Sequence, residues 1–463
     1  MSTRALPRVL LAAVVLLQLV AGTVVLTQGA TTQGATGPST RSSAPPASTS
    51  TSLPTSDAGA QAGLAPTIDE GARRLGVQLL LDRWSAAVRT ANDAALSALF
   101  DQQADAGFSG KERARAHNMA EVPFADWGYG LAHEPTPTIP PTVAARVGAD
   151  ELWAPPVTLH YALAGADPVP TTRPVGVVLA RRGSVWRLVS DTAVADYGRI
   201  TWRGPWDFGP VVARSVARGV VLGHPEHTDD VDTLAADVDS AVRDVTDFWG
   251  PQWQQRIAVF LPDTQEELKA LVGADFSGGE IAAVAIADDV DRSQRTARGQ
   301  RVVFNPATVG QLTAVSRRVV LRHELTHIAA RPVTAPEAPV WLAEGFADYV
   351  GYRRSGVSLA DGAPAVTALV RRAGPPDSLP NDVQFSSASA PSHVELAYQL
   401  AWTFSVFVAT VKGEQALRTI YLSLAALPAP SAVDIDRALQ PLVGTTLGGL
   451  VLEWGRWLQG ILR

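Results

Sequence analysis

The chain has 463 residues, enough for two or three domains. It carries 45 acidic and 39 basic residues, a net charge of −6 with no basic block, which excludes nucleic acid as a partner class. Cysteine is absent, which excludes disulfides, thiolate ligation of a metal and a lipidated cysteine.

The first predicted element is "VLLAAVVLLQLVAGTVVL", residues 9–26, uncharged and apolar behind Arg4 and Arg8. Its length falls between a long signal peptide and a short membrane helix. "VAG" at 20–22 allows cleavage; without it the segment is a single-pass signal anchor, the reading we favour. The positive flank then stays inside, and the rest is exported to the outer face of the cytoplasmic membrane, or secreted if the signal is cleaved. Residues 27–65 are almost entirely Thr, Ser, Ala, Gly, Pro and Gln. Such a stretch cannot bury enough apolar area to fold and reads as a disordered tether.

Residues 66–199 read as a small α+β domain. A helical pattern runs over 68–100 with a break near Gly76, and strands follow at 156–165, 173–183 and 185–191. This order resembles the cone-shaped nuclear-transport-factor-two-like folds, which host enzymes and binding modules alike. His117, His133 and His160 lack ligand spacing and read as structural. A Pro/Gly/Trp connection at 192–210 reads as the domain boundary.

Residues 210–463 open with a predicted strand at 216–223 and an acidic-started helix that Thr228 can cap. His224 and His227 flank Pro225, which suits a strand-to-helix turn rather than a helical metal site. Strands are expected at 256–263, 281–288 and 301–306, the last two paired. One of these should border a cleft where an extended substrate adds as a further strand. Helices are expected at 315–330, 340–354, 393–411, 413–426 and 445–462, with Trp454 and Trp457 in the core.

The chemistry concentrates in "RRVVLRHELTHIAA", residues 317–330. His323 and His327 sit four apart, on one face of a helix, so both imidazoles can reach one cation. Glu324 leans toward the same cleft as a base. The spacing alone also arises by chance, and a catalytic zinc needs a third protein ligand. "APVWLAEGFADYVGY", residues 338–352, supplies Glu344 and, four residues on, Asp348. Glu344 reads as the third ligand, and Asp348 as an acceptor that fixes a ligand imidazole, His323.

"HELTH" followed by "WLAEGFADY" resembles the gluzincin zinc metallopeptidases. The 210–463 stretch resembles the peptidase MA-like domains of exported bacterial proteins. The resemblance implies a zincin-like domain holding Zn2+ through His323, His327 and Glu344, with Glu324 as general base and a peptide or protein as substrate. Asp348 matches the aspartate four residues past the glutamate ligand in thermolysin-type enzymes. Aminopeptidase specificity is not implied. The G-x-M-E-N motif is missing, with "GGEIAAVA" at 278–285, and so is the large β domain that precedes the catalytic domain in those enzymes. In gluzincins a His or Tyr some fifty to seventy residues beyond the glutamate often donates to the oxyanion. His393 and Tyr398 are the two candidates here, and Tyr398 is the choice because a phenol donates at neutral pH whatever its surroundings. The fold class is therefore α+β, a zincin-like domain behind a cone-like one and an N-terminal apolar helix.

Three functions compete: an exported zinc metallopeptidase, a zinc hydrolase acting on a non-peptide amide, and a non-catalytic exported binding protein on the same fold. Glu324 weighs against the third, since a structural zinc needs no base. No signal in the chain sets an oligomeric state.

Overall fold

The computed structural model describes residues 69–274, 276, 281–386 and 388–462. The apolar segment and the tether expected within 1–65 lie outside them.

Asp69 caps the first helix, α1 (Glu70–Arg89), by accepting from the Gly71 amide. Val77, Leu80, Leu81, Trp84 and Val88 form its buried stripe. The helix runs through Gly76 without the expected break. Gly76 instead lies flat against Trp186, whose ring would stand 3.0 Å from an added Cβ. The chain turns at Ala91, with φ of 46°, before α2 (Asp93–Ser97) and α3 (Phe108–Asn118). Strands β1 (Phe124–Leu131), β3 (Pro156–Leu163) and β4 (Thr171–Gly176) make one antiparallel sheet. After α4 (Pro141–Val147), β2 (Glu151–Trp153) pairs with β5 (Val178–Arg182), and β5 with β6 (Val185–Ser190), in another. The strand expected at 173–183 is thus two strands in two sheets, divided at Val177. Strand β1 had no sequence expectation: "FADWGYGL" carries Gly128 and Gly130, yet Trp127 and Tyr129 bury between them.

The strand expected at 216–223 is a hairpin of β7 (Val212–Val216) and β8 (Gly219–Gly223). At Gly219, φ is 155° and an added Cβ would fall 2.0 Å from the Ile257 carbonyl oxygen, so only glycine fits. Thr228 is not the cap of the next helix. It is the first residue of α5 (Thr228–Trp249), and its hydroxyl donates back to the Pro225 carbonyl at 2.8 Å. Then follow β9 (Ile257–Phe260), α6 (Gln265–Val272), β10 (Ala283–Ile286), the small β11–β12 pair (Asp289–Asp291, Thr296–Arg298) and β13 (Arg301–Phe304).

One five-stranded sheet has the order β10-β13-β9-β8-β7. Its three inner strands run parallel, and the two edge strands run antiparallel to their neighbours. Strand residues alternate between two cores. Val221, Val259, Ala285 and Val302 face a helical body. Val220, Phe260, Val284 and Val303 face the aromatic core of the N-terminal unit, with Tyr161 and Trp206. A sheet covered on both faces explains the unbroken apolar runs "GVVLG" and "IAVF".

The helical body holds α7 (Ala314–Ala330), α8 (Val340–Tyr352), α9 (Leu359–Gly362), α10 (Pro364–Ala373), α11 (Pro391–Val411), α12 (Glu414–Leu424), α13 (Ala432–Val443) and α14 (Leu447–Ile461). The five helices read from periodicity are present; α9, α10 and α13 are additional. Trp454 is fully buried, and Trp457 packs against the same core.

Candidate metal centre

Helix α7 starts cleanly because Thr313 accepts from the Ser316 amide. Its length places His323, Glu324 and His327 mid-helix, where backbone hydrogen bonds hold them firmly. Helix α8 returns beside it, and two glycines set the approach. At Gly351 an added Cβ would meet the Val319 carbonyl oxygen at 2.9 Å and the His323 Cβ at 3.5 Å. At Gly345 it would meet the Ala401 carbonyl of α11 at 2.4 Å. Helix α8 is thereby clamped between α7 and α11, with Glu344 and Asp348 turned to the histidines.

The three expected ligands converge. His323 Nε2 and His327 Nε2 are 3.0 Å apart, and Glu344 Oε2 lies 3.4 and 3.6 Å from them. Four-coordinate zinc with bonds of about 2.0–2.1 Å separates its ligand atoms by about 3.3 Å, so the spacing fits such an ion. Glu344 Oε2 is buried and takes no hydrogen bond from the protein. A buried acceptor left this way is costly unless something else satisfies it. The donor set, two imidazoles and a carboxylate, suits zinc.

Asp348 stands where sequence reasoning put it. The His323 Nδ1–H donates to Asp348 Oδ1 at 2.9 Å, which leaves Nε2 to face the ligand cluster. Burial opposes a proton on His323, but Asp348 and Glu344 outweigh it and hold the imidazole pKa well above its usual value. A field that favours a proton there also favours a divalent cation. Burial likewise opposes ionisation of Glu344, and the two histidines reverse this, pulling its carboxyl down to about 2. Glu324 is fully buried, and burial raises its pKa against the pull of both imidazoles. Its Oε2 also lacks a protein partner.

Strand β10 borders the centre at the sheet edge. The Asn305 amide donates to the Ala282 carbonyl at 2.9 Å, so even-numbered peptides of β10 face β13 and odd-numbered ones face outward. At Ala285 both outward groups meet α7. The carbonyl accepts from Arg331 Nη2 at 2.6 Å, and the amide offsets part of the rise that burial brings to the Glu324 pKa. Arg331 also donates to the Ile286 carbonyl and to Gln300 Oε1, each at 3.1 Å. Its guanidinium is buried and among the described residues has no ion pair; burial lowers its pKa to about 10, against the charge of Glu324. Sequence reasoning missed Arg331 and Ala285. The spacing of Arg331, seven residues past Glu324 and so on the same helical face, was the available signal for the arginine.

Tyr398 and His393, the two expected oxyanion donors, both lie on α11. Tyr398 is buried on α11, its ring edge-on to Phe385 at 5.1 Å, and His393 is exposed at the helix start. Tyr421, which had no sequence expectation, is buried with its hydroxyl 2.9 Å from Thr334 Oγ1; burial raises its pKa to about 12, and Glu344 adds to the shift. The other histidines are structural where the structure shows their partners. His224 is buried between Glu267 and the Pro210 carbonyl, His227 bonds Asp263, His160 bonds Asp126 and His117 bonds Asp93.

No family model matches the sequence, and no curated protein matches it. Among solved structures, the chain is similar to a mutant M1 zinc metallopeptidase from Deinococcus radiodurans, at 14% identity and a TM-score of 0.33. The match covers 60% of this chain and 58% of that one. The same mutant bound to a Tyr-Ser-Ala substrate matches at 12% identity and a TM-score of 0.31, with the same coverage. The chain thus spans just over half the length of these structures.

Proposed function

We propose that this protein is an exported zinc metallopeptidase that hydrolyses peptide bonds with Glu324 as general base. The observation that carries the reading is the convergence of His323 Nε2, His327 Nε2 and Glu344 Oε2, which takes no hydrogen bond, with Glu324, whose buried Oε2 also lacks a hydrogen-bond partner, on the helix of the two histidines. Zinc in that position would supply Lewis acidity, lowering the pKa of a water to about 7 and polarising a carbonyl. Glu324, buried and with its basicity raised, takes the water proton and passes it to the leaving nitrogen. Asp348 keeps the His323 ring in one tautomer and orientation. Ala283, the next outward-facing residue of β10, offers its amide and carbonyl to an extended substrate backbone. Tyr398 is our choice for the oxyanion donor. Turnover of Tyr398→Phe against His393→Ala decides it, and a wild-type rate in the tyrosine variant with a hundredfold loss in the other moves the role to His393.

Anchoring by residues 9–26, with residues 27–65 as tether, 66–199 as a separate domain and 210–463 as the peptidase domain, belongs to the same proposal and rests on the sequence. Fractionation with and without a signal-peptidase inhibitor tests the anchor. The central experiment is elemental analysis of the purified protein, with peptide-library profiling before and after chelation. One zinc per chain, lost in His323→Ala, and chelator-sensitive cleavage are expected. Stoichiometric zinc in His323→Ala, or no cleavage of any peptide by the zinc-loaded protein, overturns the proposal.

A further inference from the structure

We propose that Asp288 is a positioning residue for the metal centre, held in place by the N-terminal unit through Arg173 and Thr171. The inference rests on the reading of Glu324 as a base. Asp288 lies two residues past β10, the strand whose Ala285 and Ile286 carbonyls accept from Arg331 at the end of α7, the helix that carries Glu324. Its carboxylate is not satisfied within its own sheet. Arg173 pairs with Asp288 Oδ1, and Thr171 Oγ1 donates to Oδ2 at 2.6 Å, both from β4 of the N-terminal unit. The arginine and aspartate side chains are 7% and 4% exposed, so the pair is shielded from solvent. The site is shaped for this carboxylate. Gly299 takes φ of +60°, and an added Cβ there would fall 2.0 Å from Asp288 Oδ2.

A second pair reinforces the first. Arg301, opposite Ile286 in the β10–β13 register, donates to both oxygens of Asp167 at 2.6 and 2.7 Å, with both side chains 1% exposed. Asp167 belongs to the N-terminal unit, just past β3, where it also accepts from the Leu163 amide at 2.8 Å. The end of β10 is therefore gripped from two sides, by Arg331 of α7 on the Ala285 and Ile286 carbonyls and by the N-terminal unit on Asp288 and Arg301.

Adhesion alone does not explain these charges. The sheet face against the N-terminal unit is already apolar, with Val220, Phe260, Val284 and Val303. Replacing a buried ion pair by apolar side chains is often neutral or stabilising, so such pairs add little net stability. They do add direction, because a bidentate guanidinium–carboxylate contact fixes distance and angle where apolar contact does not. What they direct is the strand that Arg331 ties to α7, the helix of Glu324.

The test separates position from stability. In Arg173→Met/Asp288→Leu both charges go together, so no unpaired charge stays buried. The measurements are zinc content, melting temperature, turnover on the peptide that the wild type cleaves best, and amide exchange of the 281–290 segment, with β8 amides as control. Wild-type zinc content, a melting temperature equal to or above the wild type, exchange at Ala285 at least about tenfold faster and kcat reduced roughly 10–100-fold with little change in KM are expected. If the double variant does not fold, Thr171→Val carries the same test with a loss of a few fold. Unchanged exchange at Ala285 overturns the proposal, as does faster exchange with wild-type kcat. If the wild type cleaves no peptide, the base reading fails by itself, and exchange at Ala285 alone decides whether the N-terminal unit positions β10.

Discussion

Two regions of this molecule bury several charged groups together, and they resolve the cost in opposite ways. In the N-terminal unit, Arg115 donates to Asp207 at 2.8 Å, to Glu112 at 3.2 Å and to the Tyr129 hydroxyl at 3.0 Å, and Trp84 donates to Glu112 at 2.7 Å. None of these side chains is left with a buried polar atom lacking a partner. In the centre between α7 and α8, Glu324 and Glu344 each keep a buried oxygen that the protein does not satisfy. A closed network spends its hydrogen-bonding capacity on holding the fold, whereas an open one reserves it for what binds. Both are buried, both are charged, and of the two only the second keeps carboxylate oxygens that a bound group could satisfy.

The widest separation between the two regions comes from one substitution in each. Glu324→Gln should retain zinc and melt no lower than the wild type, while activity falls by about 10²–10⁴-fold. Near-wild-type turnover in that variant would remove Glu324 from the mechanism. Arg115→Met should do the reverse. It leaves Glu112 buried without its cation and Asp207 with Arg203 alone at 3.6 Å, lowering unfolding free energy by about 3–5 kcal/mol while zinc stoichiometry holds. Denaturant titration measures this, and a loss under 1 kcal/mol on the order of a surface pair would show the network to be dispensable.

Asp348→Asn sharpens the contrast inside the centre, because Asp348 accepts the Nδ1–H hydrogen bond that orients the His323 ring. Metal affinity or turnover should weaken by roughly 10–100-fold. A competition titration showing an unchanged zinc dissociation constant, together with an unchanged rate, would make the 2.9 Å contact with His323 incidental.

The smallest effect concerns a closed site outside both regions. His224 donates from Nδ1 to the Pro210 carbonyl at 2.9 Å and from Nε2 to Glu267 at 3.0 Å, an arrangement that needs the doubly protonated ring. Burial opposes that proton, but Glu267 and the carbonyl prevail, and the His224 pKa is raised. A raised folded-state pKa contributes stability that is complete below the unfolded value of about 6.5 and disappears as pH climbs through the folded one. The melting temperature of the wild type minus that of His224→Gln should therefore shrink from about pH 6 to about pH 9. A difference that is flat or grows with pH refutes the assignment.

Legibility in the sequence followed the range of the interactions. His323, Glu324 and His327 lie within one helix, so a period of 3.6 was enough to align them, and the companion helix with Glu344 and Asp348 announced itself by the same spacing. The edge strand was legible as a strand, yet its role was not, because the groups that matter at Ala285 are main-chain atoms identical in every residue. Asp288 closed an expected strand without standing out, since its partners Arg173 and Thr171 are more than a hundred positions away. Helix α13 was hidden by Pro441 inside it, and β1 by its glycines. Tyr398 and His393 were chosen by distance along the chain, which says nothing about which way α11 turns a side chain.

The five-stranded sheet has no wet side. Were the N-terminal unit removed, Val220, Phe260, Val284 and Val303 would face water, and Arg301 would lose its counter-charge. The chain is therefore not a string of interchangeable beads. Its two halves should melt in one calorimetric transition, and a fragment lacking the N-terminal unit should be sticky, short-lived in a cell and quickly degraded. Recombination that swaps one half alone would have to recut a whole apolar face and two charge pairs at once, which ties the evolutionary fates of the two halves together.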